Sequence, residues 1–196
     1  VLGTVAACVL AYFIGAVPFG YLVARYVHGI DIRGYGSGNI GATNVWRVLG
    51  PVSGAVVLLA DVGKGVLAVY LARALGGTGT VLAAGLAVLV GHSWSVFLGW
   101  RGGKIIATSL GVLLSLAPAV ALIGLGVWVA TVVLTGYVSL GSMVAAASVP
   151  FLMLLTGRGW EYFLFGLAMA VLAVYRHAEN IRRLRTGTEF RVRLWK

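Results

Sequence analysis

The chain has 196 residues, of which 60% are hydrophobic and only 10% charged, and its mean hydropathy is +1.00. Soluble domains carry about 25% charged residues, so this composition excludes a water-soluble globular protein and predicts an integral membrane one. A net charge of +10 would point to nucleic acid in a soluble chain; here it follows from positively charged cytoplasmic loops and from anionic lipids or substrates.

Long apolar runs joined by short polar stretches predict helices rather than a barrel of alternating strands. The first run, Val1 to Ala24, has no basic leader and exceeds a signal-peptide core, so it reads as a retained first helix, roughly Leu2 to Tyr26. A start without Met predicts a trimmed chain. A polar Gly-rich loop follows, Gly34 to Arg47, then a second helix from Pro51 to Leu75 and a third from Val81 to Leu98. After a joint at Gly99 to Lys104 comes a short fourth run, Ile105 to Leu116, which Pro118 separates from a fifth, Ala119 to Leu134. A joint from Gly136 leads to a sixth helix, Met143 to Leu155, and a seventh, Trp160 to Tyr175, before a basic tail from Arg176 to Lys196. The expected architecture is therefore all-α: one polytopic transmembrane domain over residues 1–196, with about seven spans.

Charge predicts the orientation. With the first loop inside, Arg25, Arg33, Arg47, Arg101, Lys104, Arg176, Arg182, Arg183, Arg185, Arg191, Arg193 and Lys196 all fall inside, and only Arg73 and Arg158 fall outside. This split predicts an odd number of spans, the N-terminus outside and the C-terminus cytoplasmic, with the polar motifs on one face. Cys8, the single cysteine, lies in the first apolar run and reads as a small membrane-buried hydrophobe.

The loop Gly34 to Arg47 holds the densest chemistry. Its glycines allow tight turns with exposed N–H groups, Ser37, Asn39, Thr43 and Asn44 add neutral hydrogen-bonding groups, and Arg47 adds a fork of donors. With no acid in the stretch, it suits an anion, above all a phosphate. Gly36 to Gly41 spells G-x-G-x-x-G, but a membrane helix rather than a strand precedes it, which removes the dinucleotide reading. Asp61 and Lys64 share one face of the second helix and form either a self-neutralising pair or, for Lys64 especially, a substrate contact. Gly102-Gly103-Lys104 makes a second cradle, with His92 upstream and a helix start downstream. It is not a P-loop, since Leu98 and Ile105 stand where Gly and Ser or Thr are required. Trp94, Phe97 and Trp100 read as interfacial anchors. His177 and Asn180 are helically spaced after the last span. No cysteine–histidine cluster or paired carboxylates point to a metal.

These residues resemble a family: the bacterial membrane acyl-phosphate:glycerol-3-phosphate acyltransferases. Ser37 to Val45 with Arg47 resembles its first signature, and Leu58 to Asp61 with Lys64-Gly65 its acidic-basic patch. Gly91-His92, Val96 to Gly99, Gly102 to Lys104 and Ala107-Thr108 resemble the second signature. Ser139 to Ser142, His177, Glu179 to Ile181, Arg183-Leu184 and Gly187 to Glu189 resemble the remaining motifs. One departure is Ile105, where the family usually has Gly. The resemblance implies transfer of a fatty acyl group from acyl phosphate to the 1-hydroxyl of glycerol 3-phosphate at the cytoplasmic face of a bacterial inner membrane.

On this resemblance the catalytic set is Ser37, Arg47, Lys104, His177 and Asn180. The substrate-binding set is Gly38, Asn39, Gly41, Thr43, Asn44, Lys64, His92, Gly102, Gly103, Thr108 and Ser142. Acyl phosphate is already an activated mixed anhydride, so no enzyme nucleophile is required. The base is His177 or a substrate phosphate oxygen. The expected partners are acyl phosphate, glycerol 3-phosphate and membrane lipids, with no metal, no cofactor, no nucleic acid and no obligate protein partner. The rival reading is an anion transporter, which the intramembrane Asp61 and Lys64 fit and the one-sided clustering of motifs opposes.

Overall fold

Proline and glycine punctuate this chain, and several of its helices begin or end where they stand. The computed structural model describes residues 1–192; Arg193 and Lys196 of the basic tail lie outside the described residues. Among the described residues every regular element is helical. The chain divides into two compact units, Val1–Ser115 and Leu116–Lys196.

In the first unit, α1 (Leu2–Ala16) stops at Val17, because Pro18 has no N–H to continue the ladder. A helical turn, α2 (Phe19–Leu22), and a π-helical stretch, Val23–Val27, complete the rod. The freed carbonyls are reused: Ser95 Oγ donates to the Ala16 oxygen and Lys64 Nζ to the Val17 oxygen. The Gly-rich loop then runs into α3 (Ala42–Leu49), so Thr43, Asn44 and Arg47, expected in a loop, are helical. The single-turn spacing of Asn44, Val45 and Val48 gave this segment one inward face, too short to register as a helix by apolar periodicity.

Gly50, at φ +88°, reverses the chain into α4 (Pro51–Leu75), which has Pro at its first position and agrees with the expected second helix. α5 (Thr78–Ser93) ends five residues before the expected Leu98; the remainder is a bend and a 3₁₀ turn, Val96–Leu98. α6 (Ile106–Leu116) has 11 residues. Glycines set the crossings. A Cβ on Gly15 would meet the Val88 carbonyl and one on Gly91 the Tyr12 carbonyl, so α1 and α5 touch backbone to backbone. Gly65 against Thr108 and Gly111 against Val62 do the same for α4 and α6.

In the second unit, α7 (Pro118–Thr135) closes on Gly136 at φ +77°. α8 (Val138–Leu155) begins five residues before the expected Met143. It takes in the polar joint, whose Ser142 Oγ is satisfied within the helix by the Val138 carbonyl one turn back. α9 (Trp160–Arg176) and α10 (Ala178–Arg185) follow. Among the described residues, five helical stretches are long and apolar enough to cross a membrane: Leu2–Val27, Pro51–Leu75, Thr78–Leu98, Pro118–Thr135 and Val138–Leu155.

Candidate active site

The Gly-rich loop of the first unit is anchored from below and clamped from the side. Beneath it lies a buried cluster of Ala24, Ile32, Ile40, Val45, Val57 and Leu98; burying Ile32 and Ile40 contributes roughly 1.5–3 kcal/mol each. Its lead-in is a 3₁₀ turn, Ile32–Gly34, capped by Asp31, which also forms an ion pair with Arg33 at 2.6 Å. The hydrogen bond from Arg33 holds the Asp31 carboxyl at about 2.

The clamp is Asn44. Its Oδ1 accepts from the Ser37 N–H at 2.8 Å, and its Nδ2 donates to the carbonyls of Tyr35 (3.0 Å) and Asn39 (2.9 Å). Gly36, at φ +59°, is so close that a Cβ would overlap Asn44 Oδ1. Asn39 Oδ1 accepts from Gly41 N–H at 2.9 Å, and Gly38 turns the chain at φ +70°. Arg47, exposed on the last turn of α3, donates to Asn44 Oδ1 at 3.3 Å. The buried Asn44 is thus spent on the loop, while Ser37, Gly38, Thr43 and Arg47 reach the surface around it.

The second cluster of this unit joins α4 and α5 to the Gly-Gly-Lys turn. Lys64 Nζ lies 2.8 Å from Asp61 Oδ1, 3.1 Å from the Val17 carbonyl and 2.7 Å from His92 Nδ1. An ammonium has three donors and no acceptor; here it hydrogen-bonds the Val17 carbonyl and His92 Nδ1 and is ion-paired with Asp61. All three side chains are buried. The ion pair expected as one reading of Asp61 and Lys64 is therefore formed, and His92 is its third member. His92 in turn holds the cradle: its carbonyl accepts from the Gly103 N–H at 2.9 Å. A Cβ on Gly102 would meet the carbonyls of His92 and Ser93, and one on Gly103 would overlap the His92 ring. Half-buried Lys104 comes two residues before α6, whose first turn carries the buried Thr108. Ile105, wholly buried, holds φ +62°, the left-handed region that favours glycine.

In the second unit the polar residues converge on Glu189, which was not singled out as a site residue. Its Oε1 accepts from Ser139 Oγ (2.8 Å) and Asn180 Nδ2 (2.6 Å), and its Oε2 from Arg183 Nε (2.7 Å). Burial would push this carboxyl up, but the hydrogen bonds from Asn180, Ser139 and Arg183 outweigh it and hold it below the usual range. His177, buried where α9 gives way to α10, donates from Nδ1 to the Ala173 carbonyl at 2.8 Å. That bond places the neutral ring's lone pair on Nε2. Ser142 accepts from Trp128 Nε1 at 3.2 Å.

A family model described as glycerol-3-phosphate acyltransferase matches residues 5–187. The chain belongs to that family. Among glycerol-3-phosphate acyltransferases, a relative from Desulforudis audaxviator is 57% identical, covering 93% of this chain and 92% of its own. One from Carboxydothermus hydrogenoformans is 48% identical over 95% of each chain. A crystal structure of PlsY (YgiH), an integral membrane glycerol 3-phosphate acyltransferase in its glycerol 3-phosphate form, superposes with a TM-score of 0.92. It is 37% identical and covers 97% of this chain and 96% of that one. A second, in the lysphosphatidic acid form, gives 0.89 at the same identity, over 96% and 94%. The chain is a membrane glycerol-3-phosphate acyltransferase of phospholipid synthesis.

Proposed function

We propose that the chain moves a fatty acyl group from acyl phosphate to the 1-hydroxyl of glycerol 3-phosphate, giving 1-acylglycerol 3-phosphate (lysophosphatidic acid) and inorganic phosphate. The likeness to PlsY structures in glycerol 3-phosphate and lysphosphatidic acid forms, at 37% identity over nearly the whole chain, carries this reading. In it, residues 1–196 act as one catalytic domain of about seven spans, N-terminus outside and C-terminus inside, in a bacterial cytoplasmic membrane.

The glycerol hydroxyl oxygen attacks the acyl carbon. The bond from that carbon to the phosphate oxygen breaks, and phosphate leaves with the electron pair. The hydroxyl proton passes to a substrate phosphate oxygen or to His177 Nε2. Arg47 and Lys104 neutralise phosphate charge, while the N–H groups of Gly38, Gly41 and Gly103 are spent on internal acceptors that hold the loop and the turn in shape. Thr43, Thr108 and Ser142 supply hydroxyl contacts to substrate, and Ser37, His177 and Asn180 orient glycerol phosphate. Asn39 and Asn44 shape the loop, which their hydrogen bonds support.

Proteoliposomes given acyl phosphate and labelled glycerol 3-phosphate test this reading. Acyl transfer yields a labelled lipid ester by mass, and Lys104→Ala and Arg47→Ala each lower its rate roughly 10²-fold or more. Entry of unaltered label into the lumen, with no ester, would instead establish an anion transporter, the reading that a buried Asp61–Lys64 pair within a span otherwise favours.

A further inference from the structure

Asp61 lies within α4 and His92 at the end of α5, yet one ammonium, that of Lys64, joins them, and His92 in turn abuts the Gly102–Gly103 turn. Ion-paired with Asp61 and bonded to the Val17 carbonyl, a charged Lys64 has only donors, so its 2.7 Å contact requires His92 Nδ1 to accept. A neutral His92 must then carry its proton on Nε2, the ring atom that abuts Gly103. The Phe19 ring stands 5.8 Å from Lys64 Nζ on a further side. The ring has no room to pivot: Gly103 blocks one edge and Lys64 holds the other.

We infer that Asp61 and Lys64 are positioning residues, acting through His92 to fix the tautomer and orientation of the imidazole on which the Gly102–Gly103–Lys104 cradle is built. This rests on the reading of that cradle as a phosphate site. Asp61 pairs with Lys64 and holds it in place. Lys64 donates to His92. His92 presents its Nε2 edge to Gly103 and accepts the Gly103 N–H at its carbonyl, and so sets where the neighbouring Lys104 side chain stands. A plain stabilising ion pair predicts something different, because any neutral pair that restores packing would serve as well.

The test uses the purified full chain in detergent, with four variants: Lys64→Met, Asp61→Asn, the double Asp61→Ala/Lys64→Met, and Lys104→Ala. Nitrogen NMR of labelled histidine reads the tautomer, and steady-state kinetics read KM for both phosphate substrates. We expect wild-type His92 as the Nε2–H tautomer and Lys64→Met to abolish that preference. We expect Asp61→Asn to raise KM for at least one phosphate substrate roughly tenfold, more than it lowers kcat. The double variant should recover thermal stability, having no unpaired buried charge, while its KM stays raised. A double variant with wild-type KM, or an unchanged His92 tautomer in Lys64→Met, overturns the relay. Lys104→Ala separates the two levels. If it keeps normal turnover, the phosphate cradle itself is wrong; if it is inactive while the double variant is normal, only the relay is.

Discussion

Gly103 lies so close to His92 that a methyl group on it would overlap Nε2 of the imidazole. No rotation of a flexible side chain relieves the overlap, since the ring is also held at Nδ1 by Lys64. Gly103→Ala must therefore push the turn outward or the ring off Lys64. Displacing a phosphate ligand by about 1 Å costs roughly 10²-fold in rate. Kinetics of Gly103→Ala are expected to show a loss of that order with helicity unchanged by circular dichroism. Near-normal activity would mean that the turn carries no substrate.

Asn44 offers a sharper test of the loop. Asn44→Asp keeps the acceptor facing Ser37 and improves the partner for Arg47, but it turns carboxylate oxygen toward the carbonyls of Tyr35 and Asn39. Each lost donor costs about 1–3 kcal/mol. The variant should lose at least about tenfold in kcat/KM, and limited proteolysis should cut first between Tyr35 and Gly41. If charge beside Arg47 were the function of this position, Asp would be tolerated.

Ile105 sets strain against burial. Its left-handed backbone costs about 1–2 kcal/mol, while emptying a buried Ile costs about 2–5 kcal/mol. Burial wins, so Ile105→Gly should lower stability by about 2 kcal/mol in thermal unfolding. A rise in Tm would show that backbone strain dominates this turn.

Glu189 carries a pH dependence of known sign. Its folded carboxyl lies below its ordinary value of 4.5, so its contribution is complete above pH 4.5 and is lost as pH falls through the lower folded value. Glu189→Gln faces an amide N–H against Arg183 Nε and should cost about 1–3 kcal/mol at pH 7. Unfolding midpoints measured from pH 7 to pH 3 should fall less steeply in the variant. An equal slope in both proteins would remove Glu189 from the acid response.

What the sequence made legible follows from how local each feature is. Pro51 to Leu75 could be read because Gly50, Pro51 and an unbroken apolar run all act on neighbouring residues. Asp61 and Lys64 showed as a pair because three residues is one helical turn. Their third partner, His92, stands 28 residues from Lys64 and enters only when α4 and α5 pack. The Glu189–Ser139 bond spans 50 residues, so the hub of the second unit had no local signature. Asn44 was picked as a ligand by its type, whereas its geometry makes it a clamp; an amide close to several glycines has the same sequence pattern in either role. The left-handed turn at Ile105 showed only through the family's usual Gly at that position, since the β-branched residue itself does not announce it.

Direct attack by the acceptor on an activated donor is the centre of this account, and phosphate release tests it most simply. Purified protein would be mixed with acyl phosphate, first alone and then with glycerol 3-phosphate, following inorganic phosphate from the first turnover. The account predicts no release above the background hydrolysis of the donor without acceptor. With acceptor, it predicts one phosphate for each lysophosphatidic acid formed. A burst of one phosphate per enzyme before acceptor is added, with the acyl mass left on the intact chain, would contradict it.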